Sequence, residues 1–263
     1  MPELPEVETV VRSITPYVLG RTIRHVELFS RRVTRGDFAA TIAGVTGALI
    51  QGVRRHGKQI FFELDRGILF IHLGMTGKLL INAAPSKYAR AIFHLDEGAL
   101  FYDDVRQFGR VEFFTQMPSS LARVGPDALT IGFAEFFERL HRRGGHIKPL
   151  LLNQSFVGGV GNIYADEALF AARIHPRAAA SRLSEKRVKE LHGSLIKILQ
   201  LAIHHRGSSI SDYVDADGAP GSFQQQHNVY GRAGQPCPCC GSPIRRIVLG
   251  QRGTHYCPRC QRP

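Results

Sequence analysis

All five cysteines of this 263-residue chain lie between positions 237 and 260, and four of them form two C-x2-C pairs. The pairs are Cys237 with Cys240 and Cys257 with Cys260. One such pair can turn two thiolates toward one ion, and a second pair completes a tetrahedral shell. A closed shell leaves no position for substrate or water, so we predict one structural zinc ion. Cys239 in place of Cys240 would give a less suitable C-x-C pair, and a set of ordinary free cysteines would match this spacing only by coincidence.

The chain is strongly basic. Lysine and arginine number 34 and aspartate and glutamate 22, which gives a formal net charge of +12. Such an excess concentrates polyanions near a protein and speeds their capture. Charge alone favours nucleic acid over a membrane surface only modestly, since both are anionic, and solubility is the plain alternative.

The start of the chain lacks a basic segment followed by an apolar one, so we expect no signal peptide. Apolar runs such as residues 68–71 are too short to span a bilayer. Clustered cysteines without an export signal indicate metal binding in a reducing compartment. We therefore expect a cytoplasmic protein with no membrane partner.

Hydrophobic periodicity predicts strands in the first half of the chain and helices in the second. A first helix is predicted over residues 3–19, with Pro5 and three glutamates near its start and Gly20 at its end. Short β-rich runs separated by turns follow, at residues 60–64, 68–73, 91–95, 99–102 and 111–114. Their spacing is typical of an antiparallel sandwich or barrel.

The character of the sequence changes between residues 118 and 132. Helices are predicted beyond it, at residues 133–141, 150–156, 162–173 and 184–205. The last of them has apolar residues along one side: Val188, Leu191, Leu195, Ile198, Leu199 and Ala202. Residues 207–226 are rich in Gly, Ser, Asp and Gln and predict a long loop, which in a compact protein is usually functional or disordered.

A glycine-rich turn, Val157-Gly-Gly-Val-Gly-Asn162, joins two of the predicted helices. Asn162 is a suitable N-cap for the helix that follows, and amides at a helix N-terminus bind phosphate. A simple connector between helices is the alternative. Arg143 and Lys148 upstream, and the basic zinc segment downstream, favour contact with a nucleic-acid backbone.

Residues 244–256, between the cysteine pairs, are predicted to form a β-hairpin with residues 250–253 at its tip. Arg252 would project from a ribbon made rigid by the zinc ion. A guanidinium there can hold a phosphate through two hydrogen bonds. For an isolated arginine, a solvated charge would be the better interpretation.

The chain opens with Met-Pro-Glu-Leu-Pro-Glu, so removal of Met1 is expected to leave Pro2 first. An α-amine has a pKa of about 7.7–8.0 and lysine about 10.4, so far more of the terminal amine is neutral at pH 7. A secondary amine that attacks an aldehydic sugar carbon forms a permanently charged iminium, which is an electron sink. Glu3 and Glu6 lie within one turn and could move protons. The same residues also start a helix well, and from physical chemistry alone that interpretation would be preferred.

Several segments beyond the N-terminus are distinctive as a set. They include His-Leu-Gly-Met-Thr-Gly at 72–77, Arg-Gln-Phe-Gly at 106–109 and Gly-Val-Gly-Asn-Ile-Tyr-Ala-Asp-Glu at 159–167. With residues 1–9 and the cysteine finger, they resemble in order, and over the whole chain, the formamidopyrimidine-DNA glycosylase family. Leu4 stands where the sister endonuclease VIII branch tends to have glycine, which favours the purine-excising branch.

The resemblance implies a bifunctional glycosylase and apurinic/apyrimidinic lyase that removes 8-oxoguanine and ring-opened purines and cuts the strand by β,δ-elimination. Pro2 would be the Schiff-base nucleophile and Glu3 the acid, with Glu6 as possible support. Lys58 would serve β-elimination and phosphate contact. Arg252 would hold the phosphates at the lesion and help δ-elimination.

The resemblance also implies a set of side chains that fill the gap left by an extruded base and contact its orphaned partner: Met75, Arg106 and Phe108. Further DNA contacts are expected at His72, Tyr88, Arg143, Lys148 and Asn162. Tyr88 departs from the family pattern, because Lys87-Tyr-Ala-Arg90 stands where the family commonly has Lys-His-x-His. Asn153-Gln154 replaces the usual Asp-Gln.

The resemblance implies an α+β fold with two lobes and DNA in a basic cleft between them. We expect an N-terminal antiparallel β-sandwich domain with flanking helices over residues 1–125. A helix-two-turns-helix domain would cover residues 126–226, with a lesion-capping loop at 207–226. The four-cysteine zinc finger would cover residues 227–263.

The expected partner is damaged double-stranded DNA, bound by a monomer in the bacterial cytoplasm at the nucleoid. The expected cofactor is the one structural zinc ion. Two alternatives remain open: an endonuclease VIII-like enzyme that excises oxidised pyrimidines, and a non-catalytic zinc-finger DNA-binding protein.

Overall fold

The structure is a computed structural model that describes residues 2–34, 37–84, 86–119, 121–210 and 212–262. The chain divides into two compact units. The first contains the residues up to Arg123 together with His205–Ser222. The second contains Val124–His204 and the residues from Phe223 onward. Met1, whose removal the sequence predicts, lies outside the described residues.

Over its described residues, the first unit combines two α-helices with a set of antiparallel strands. The helices are α1 (Leu4–Val18) and α2 (Phe38–Val45). The strands are β1 (Ile23–Leu28), β2 (Ile50–His56), β3 (Gln59–Leu64), β4 (Gly67–His72), β5 (Gly77–Ile81), β6 (Ala89–Leu95), β7 (Ala99–Asp104) and β8 (Arg110–Phe114).

The strands form two four-stranded sheets, in the orders β1-β6-β7-β5 and β2-β3-β4-β8. Every pairing within them is antiparallel. Phe62 and Ile71 from one sheet and Phe93 and Tyr102 from the other lie in a single hydrophobic core. The predicted β-sandwich is therefore confirmed.

Helix α1 contributes one face to that core. Its apolar residues recur at helical spacing, so Val7, Val10 and Ile14 are buried together with residues of both sheets. The burial of this face fixes the helix, and with it the first residues of the chain, against the sandwich.

The second unit is helical and ends in a β-hairpin. Its elements are α3 (Phe133–His141), α4 (Ile147–Leu152), α5 (Asn162–Ala171), α6 (Glu185–His204), β9 (Arg245–Leu249) and β10 (Arg252–Tyr256). Residues 163–170 of α5 are all buried, and this helix packs against α4, α6 and β10. The six apolar residues predicted to line one side of α6 are buried.

The segment His205–Ser222 packs with the first unit, whereas the sequence analysis assigned residues 207–226 to the helical domain. Three contacts explain the difference. Ser208 N donates to Glu6 Oε1 at 2.7 Å, and Ile81 N donates to the Ala216 carbonyl at 3.0 Å. Ala216 is also buried in the core of the sandwich. The zinc finger in turn belongs with the helices rather than forming a separate unit.

Among the described residues, none of the helices combines the length and apolar composition that crossing a bilayer requires.

Gly109 packs closely against Tyr102 and the main chain at His72. A Cβ built at this position would lie 1.7 Å from Tyr102 Oη and 2.7 Å from the His72 carbonyl oxygen. Gly109→Ala should therefore lower the free energy of unfolding by about 1–3 kcal/mol, the usual cost of overpacking. Urea denaturation followed by circular dichroism measures this loss.

Gly144→Ala is the matched control, because a Cβ at Gly144 meets nothing within 4 Å and the residue has no positive φ. An equal loss of stability in both variants would contradict the role assigned to close packing at Gly109.

Candidate active site and metal centre

The first residues of the chain are held by the carboxylate of Glu6. Pro2 and Glu3 are buried, and Glu3 N donates to Glu6 Oε2 at 2.8 Å as one half of a capping box. The other oxygen of Glu6 accepts from Ser208 N. One carboxylate thus fixes both the start of α1 and the segment that returns to it from residue 205 onward.

Tyr213 strengthens this junction, and the sequence analysis missed it. Its hydroxyl donates to the Glu6 carbonyl at 3.4 Å, and the Ser209 hydroxyl donates to the Tyr213 carbonyl at 2.7 Å. Burial raises the pKa of Tyr213 well above its usual range, and the nearby Glu6 charge raises it further. The hydroxyl therefore stays protonated and able to donate at neutral pH.

Lys58 lies in the tight turn between β2 and β3 and is largely buried. Arg55 connects this turn to α1, since its Nε lies 2.8 Å from Glu8 Oε2 and its Nη1 donates to the Gly57 carbonyl at 2.9 Å. The Lys58 turn is thus tied to the helix that begins beside Pro2. Neither Arg55 nor Glu8 was predicted as a site residue. Their ion pair joins positions 47 residues apart in sequence, and such a pair leaves no local sequence pattern.

The three side chains predicted to replace an extruded base lie on two adjoining loops. Met75 is 38% exposed and Phe108 is 54% exposed, and the Arg106 guanidinium lies 4.7 Å from the centre of the Phe108 ring. The loops touch at Gly74, where an added Cβ would lie 2.6 Å from the Phe108 carbonyl carbon. The structure therefore brings the predicted set together on one exposed edge of the sandwich.

Asp104 joins these two loops from beneath and was not predicted. It is fully buried, and its Oδ1 accepts from the Thr76 hydroxyl at 2.6 Å while its Oδ2 accepts from Gly109 N at 2.8 Å. The Thr76 hydroxyl also accepts from Arg106 N at 3.0 Å. This network holds the loops that carry the exposed residues.

His72 and Tyr88 occupy different positions in the first unit. His72 is half-buried at the end of β4, and its Nδ1 accepts from Gly74 N at 3.1 Å. Tyr88 lies before β6 with 37% of its surface exposed, and the Lys87 ammonium lies 5.2 Å from its ring centre. Tyr88 thus offers an accessible aromatic face and a neighbouring cation.

The prediction that Lys148 contacts DNA is contradicted by its burial. Lys148 lies in α4 with no exposed surface, and its ammonium is 2.7 Å from Asp166 Oδ1, which is also inaccessible to solvent. Arg143, which precedes α4, is exposed as a phosphate contact requires. The sequence could not separate the two cations, because both lie near the glycine turn.

Asn162 begins α5 rather than capping it. Gly161 is the N-cap, and Asn162 Nδ2 donates to the Gly253 carbonyl at 3.0 Å. The predicted N-cap is therefore wrong by one residue. The Asn162 side chain instead links the turn to the C-terminal hairpin.

The predicted hairpin is present, with a tighter tip than expected. Strands β9 and β10 pair with Leu249 opposite Arg252, which leaves Gly250 and Gln251 as a two-residue turn. Both turn residues have positive φ, at 57° and 61°, as a type I′ turn requires. Arg252 is exposed at the first position after this turn.

The four predicted zinc ligands converge on one point. Their sulfur atoms all lie within 4.8 Å of one another, with Cys237 Sγ 3.9 Å from Cys260 Sγ and Cys240 Sγ 3.4 Å from Cys257 Sγ. Tetrahedral zinc with Zn–S bonds of about 2.3 Å requires sulfur separations of about 3.8 Å. Cys239 is exposed and outside this group, as predicted.

The local electrostatics suit a metal centre. Hydrogen bonds from Ser242 lower the pKa of Cys240 to about 6, which favours the thiolate. Burial raises the pKa of Cys257 and Cys260, so their deprotonation depends on the charge of the ion. The donor set and geometry fit one structural zinc ion held by Cys237, Cys240, Cys257 and Cys260.

Sequence profiles of known families match the chain in three successive segments. The formamidopyrimidine-DNA glycosylase N-terminal domain matches residues 1–111, and the H2TH domain of the same enzyme matches residues 124–214. The zinc finger found in FPG and IleRS matches residues 234–263.

Relatives and solved structures agree with these matches. The formamidopyrimidine-DNA glycosylase of Solibacter usitatus is 49% identical over 100% of both chains, and that of Bacillus subtilis is 41% identical over 99% of both. The crystal structure of the MutM (Fpg) protein from Thermus thermophilus is similar with a TM-score of 0.90 and 42% identity, covering 99% of this chain and 98% of that one. A Lactococcus lactis Fpg mutant in complex with Fapy-dG-containing DNA has a TM-score of 0.91 and 38% identity over 100% of both chains.

The β-sandwich that begins at Pro2, the H2TH helices and the four-cysteine finger together define a DNA glycosylase of base excision repair with AP lyase activity. Within that class, the chain belongs to the formamidopyrimidine-DNA glycosylase family, and the resemblance inferred from its motifs is confirmed.

Replacement of a zinc ligand and of the cysteine outside the ligand set should affect zinc content differently. Cys257→Ser should reduce the zinc content well below one ion per chain and unfold the finger, because the metal contributes folding free energy. Cys239→Ser should retain one zinc ion, since Cys239 lies outside the four-sulfur group. Zinc analysis together with limited proteolysis of the C-terminal segment measures both effects.

Removal of zinc by a chelator should likewise abolish base excision. Full activity of a preparation shown to be free of zinc would contradict a structural role for the ion.

Proposed function

We propose that this enzyme excises oxidised purines, 8-oxoguanine and formamidopyrimidines, through nucleophilic attack by Pro2. The main support is the fixed position of the N-terminal segment. The amide of Glu3, the residue that follows Pro2, is bound by the buried Glu6 carboxylate. An amine held in this way reaches a substrate carbon without the entropic cost of ordering a flexible terminus.

The reaction follows from the chemistry of a secondary amine. Pro2 N forms a bond to C1′ of the extruded nucleotide while the bond from C1′ to the base breaks, and the base leaves with a proton. Ring opening of the sugar then gives an iminium between Pro2 and C1′. This cation accepts the electron pair of the C2′–H bond when a base removes that proton, and the enamine so formed expels the 3′ phosphate, which leaves with the electrons of its C3′–O bond. Loss of the C4′ proton then expels the 5′ phosphate in the same way.

Glu3 is the proposed acid for these proton transfers, and Lys58 the proposed base and phosphate contact for β-elimination. The position of Glu3 supports this, because it is buried directly after Pro2 at the start of α1. Glu6 supports catalysis by position, since both of its oxygens bind main-chain amides.

The DNA contacts are proposed to come from both units. In the first unit, Met75, Arg106 and Phe108 would occupy the space of the extruded base, with His72 and Tyr88 beside the backbone. In the second unit, exposed Arg143 and Arg252 and the segment at Asn162 would bind phosphates. Lys148 is omitted from this set because it is buried.

The proposed partner is damaged double-stranded DNA. The net charge of +12 supports binding to a polyanion, and the solved relatives include complexes with Fapy-dG and abasic-site DNA. We further propose a monomer that acts at the bacterial nucleoid in the cytoplasm. Residues 207–226 would form the lesion-capping loop, and residues 227–263 would act as the zinc-finger module.

Replacement of the nucleophile tests the chemistry. Pro2→Gly should form much less of the covalent adduct that borohydride traps on 8-oxoguanine DNA, because the neutral imine of a primary amine accepts hydride less readily than the charged iminium of proline. Pro5→Ala is the matched control in the same turn, and it should form the adduct at near wild-type yield. Adduct formation by Pro2→Gly at the wild-type rate would relocate the nucleophile.

A panel of duplexes tests the substrate class. Excision of 8-oxoguanine should exceed excision of thymine glycol at least tenfold. The reverse ranking would favour the oxidised-pyrimidine enzyme, and failure of the wild type to form any trapped adduct would favour a non-catalytic DNA-binding protein.

The phosphate role of Arg252 predicts a change in salt dependence. Arg252→Ala should weaken binding to a duplex with a tetrahydrofuran abasic-site analogue and reduce the slope of log K against log salt by about 1. Arg66→Ala removes one positive charge from a surface pair with Asp65 and should leave the slope unchanged. An unchanged slope for Arg252→Ala would exclude the proposed contact.

A further inference from the structure

The ammonium of buried Lys148 lies close to three oxygen atoms. Its ammonium lies 2.7 Å from Asp166 Oδ1, donates to the Thr254 hydroxyl at 2.8 Å and donates to the Gly253 carbonyl at 3.0 Å. Two hydrogen bonds of the ammonium thus go to β10, and the adjacent Asp166 carboxylate balances its charge. A lysine without exposed surface needs such partners, because burial of an unpaired charge is very costly.

Asp166 extends the network along β10. Its Oδ2 accepts from His255 N at 2.8 Å and lies 3.3 Å from His255 Nδ1. Asn162 Nδ2 adds a second donor to the Gly253 carbonyl. Three consecutive residues of β10, from 253 to 255, are therefore bound by side chains from α4 and α5.

These three residues directly follow Arg252. The Thr254 hydroxyl, which accepts from Lys148, itself donates to the Arg252 carbonyl at 3.2 Å. On the other side, Arg252 pairs with Leu249 across the two-residue turn. The main chain of Arg252 is thus fixed between the hairpin turn and the Lys148 network.

We propose that Lys148 and Asp166 are positioning residues that orient Arg252 for phosphate contact, a role that rests on the proposed DNA binding by Arg252. A buried ion pair adds little net stability compared with apolar side chains of similar volume. Its role here is to fix a position. The charged donor Lys148 and the charged acceptor Asp166 are both satisfied only when residues 253–255 lie in one position against α4 and α5. The Lys148 charge acts on DNA through Arg252 and not by contact.

Three changes, made alone and in combination, test this role. Thr254→Val removes only the hydroxyl that links Lys148 to the Arg252 carbonyl. The double variant K148M/D166N removes both charges together, so neither is left buried without a partner. Each is combined with Arg252→Ala, and binding to the tetrahydrofuran duplex is measured across a range of salt concentrations.

Thr254→Val should weaken binding about two- to tenfold, in the range expected for one hydrogen bond. K148M/D166N should reproduce most of the affinity loss and the lower salt slope of Arg252→Ala. Adding Arg252→Ala to either variant should then cost much less than it does in the wild type. Zinc content should remain one ion per chain, which excludes an unfolded finger as the cause. Thr41→Val, at a buried threonine of α2 in the first unit, is the matched control and should bind like the wild type.

Two results would overturn the proposal, and they distinguish failure of the phosphate contact from failure of the positioning role. If Arg252→Ala binds like the wild type, the phosphate contact itself is excluded, and the positioning role with it. If Arg252→Ala weakens binding but the losses multiply in the combined variants, Arg252 contacts DNA independently of Lys148 and Asp166. A purely stabilising network would give that second result, since it would not change the effect of Arg252.

Discussion

Buried carboxylates that accept main-chain amides determine the form of the loops in this site. Glu6 binds the amides of Glu3 and Ser208, Asp104 binds Gly109 N, and Asp166 binds His255 N. Glu167, also buried, accepts from three successive amides beginning at Asn228. Irregular segments lack strand and helix partners for their amides, and an unpaired buried amide costs about 1–3 kcal/mol. In a basic chain, these few acids therefore fix the segments that present cations and aromatic rings.

This arrangement separates the residues that act from the residues that hold them. Met75, Arg106, Phe108 and Arg252 are exposed, whereas the side chains that position their loops are buried. A nucleophile at a chain terminus and an arginine on a hairpin would otherwise be among the most mobile parts of a protein. The capping of α1 by Glu6 and the attachment of β10 to α4 and α5 solve the same problem in the two units.

Local patterns predicted most of the fold. The first helix, five of the eight described strands of the sandwich and the apolar side of α6 follow from periodicity, and the zinc ligands follow from spacing. Helix α2 and strands β1, β2 and β5 were not predicted. Their apolar residues do not follow a clear helical or alternating pattern, so tertiary packing determines their secondary structure. The burial of Lys148, the place of residues 205–222 and the roles of Asp104 and Tyr213 depend on partners distant in sequence, which a single sequence does not reveal.

The proposed chemistry depends on a free secondary amine at Pro2 that bonds to the sugar of the damaged nucleotide. Peptide mapping of the borohydride-trapped adduct by mass spectrometry tests it most directly. We expect the sugar fragment on the tryptic peptide Pro2–Arg12, attached to the proline nitrogen, with Met1 absent. A fragment attached to a lysine side chain such as Lys58, or active enzyme that retains Met1 throughout, would contradict it.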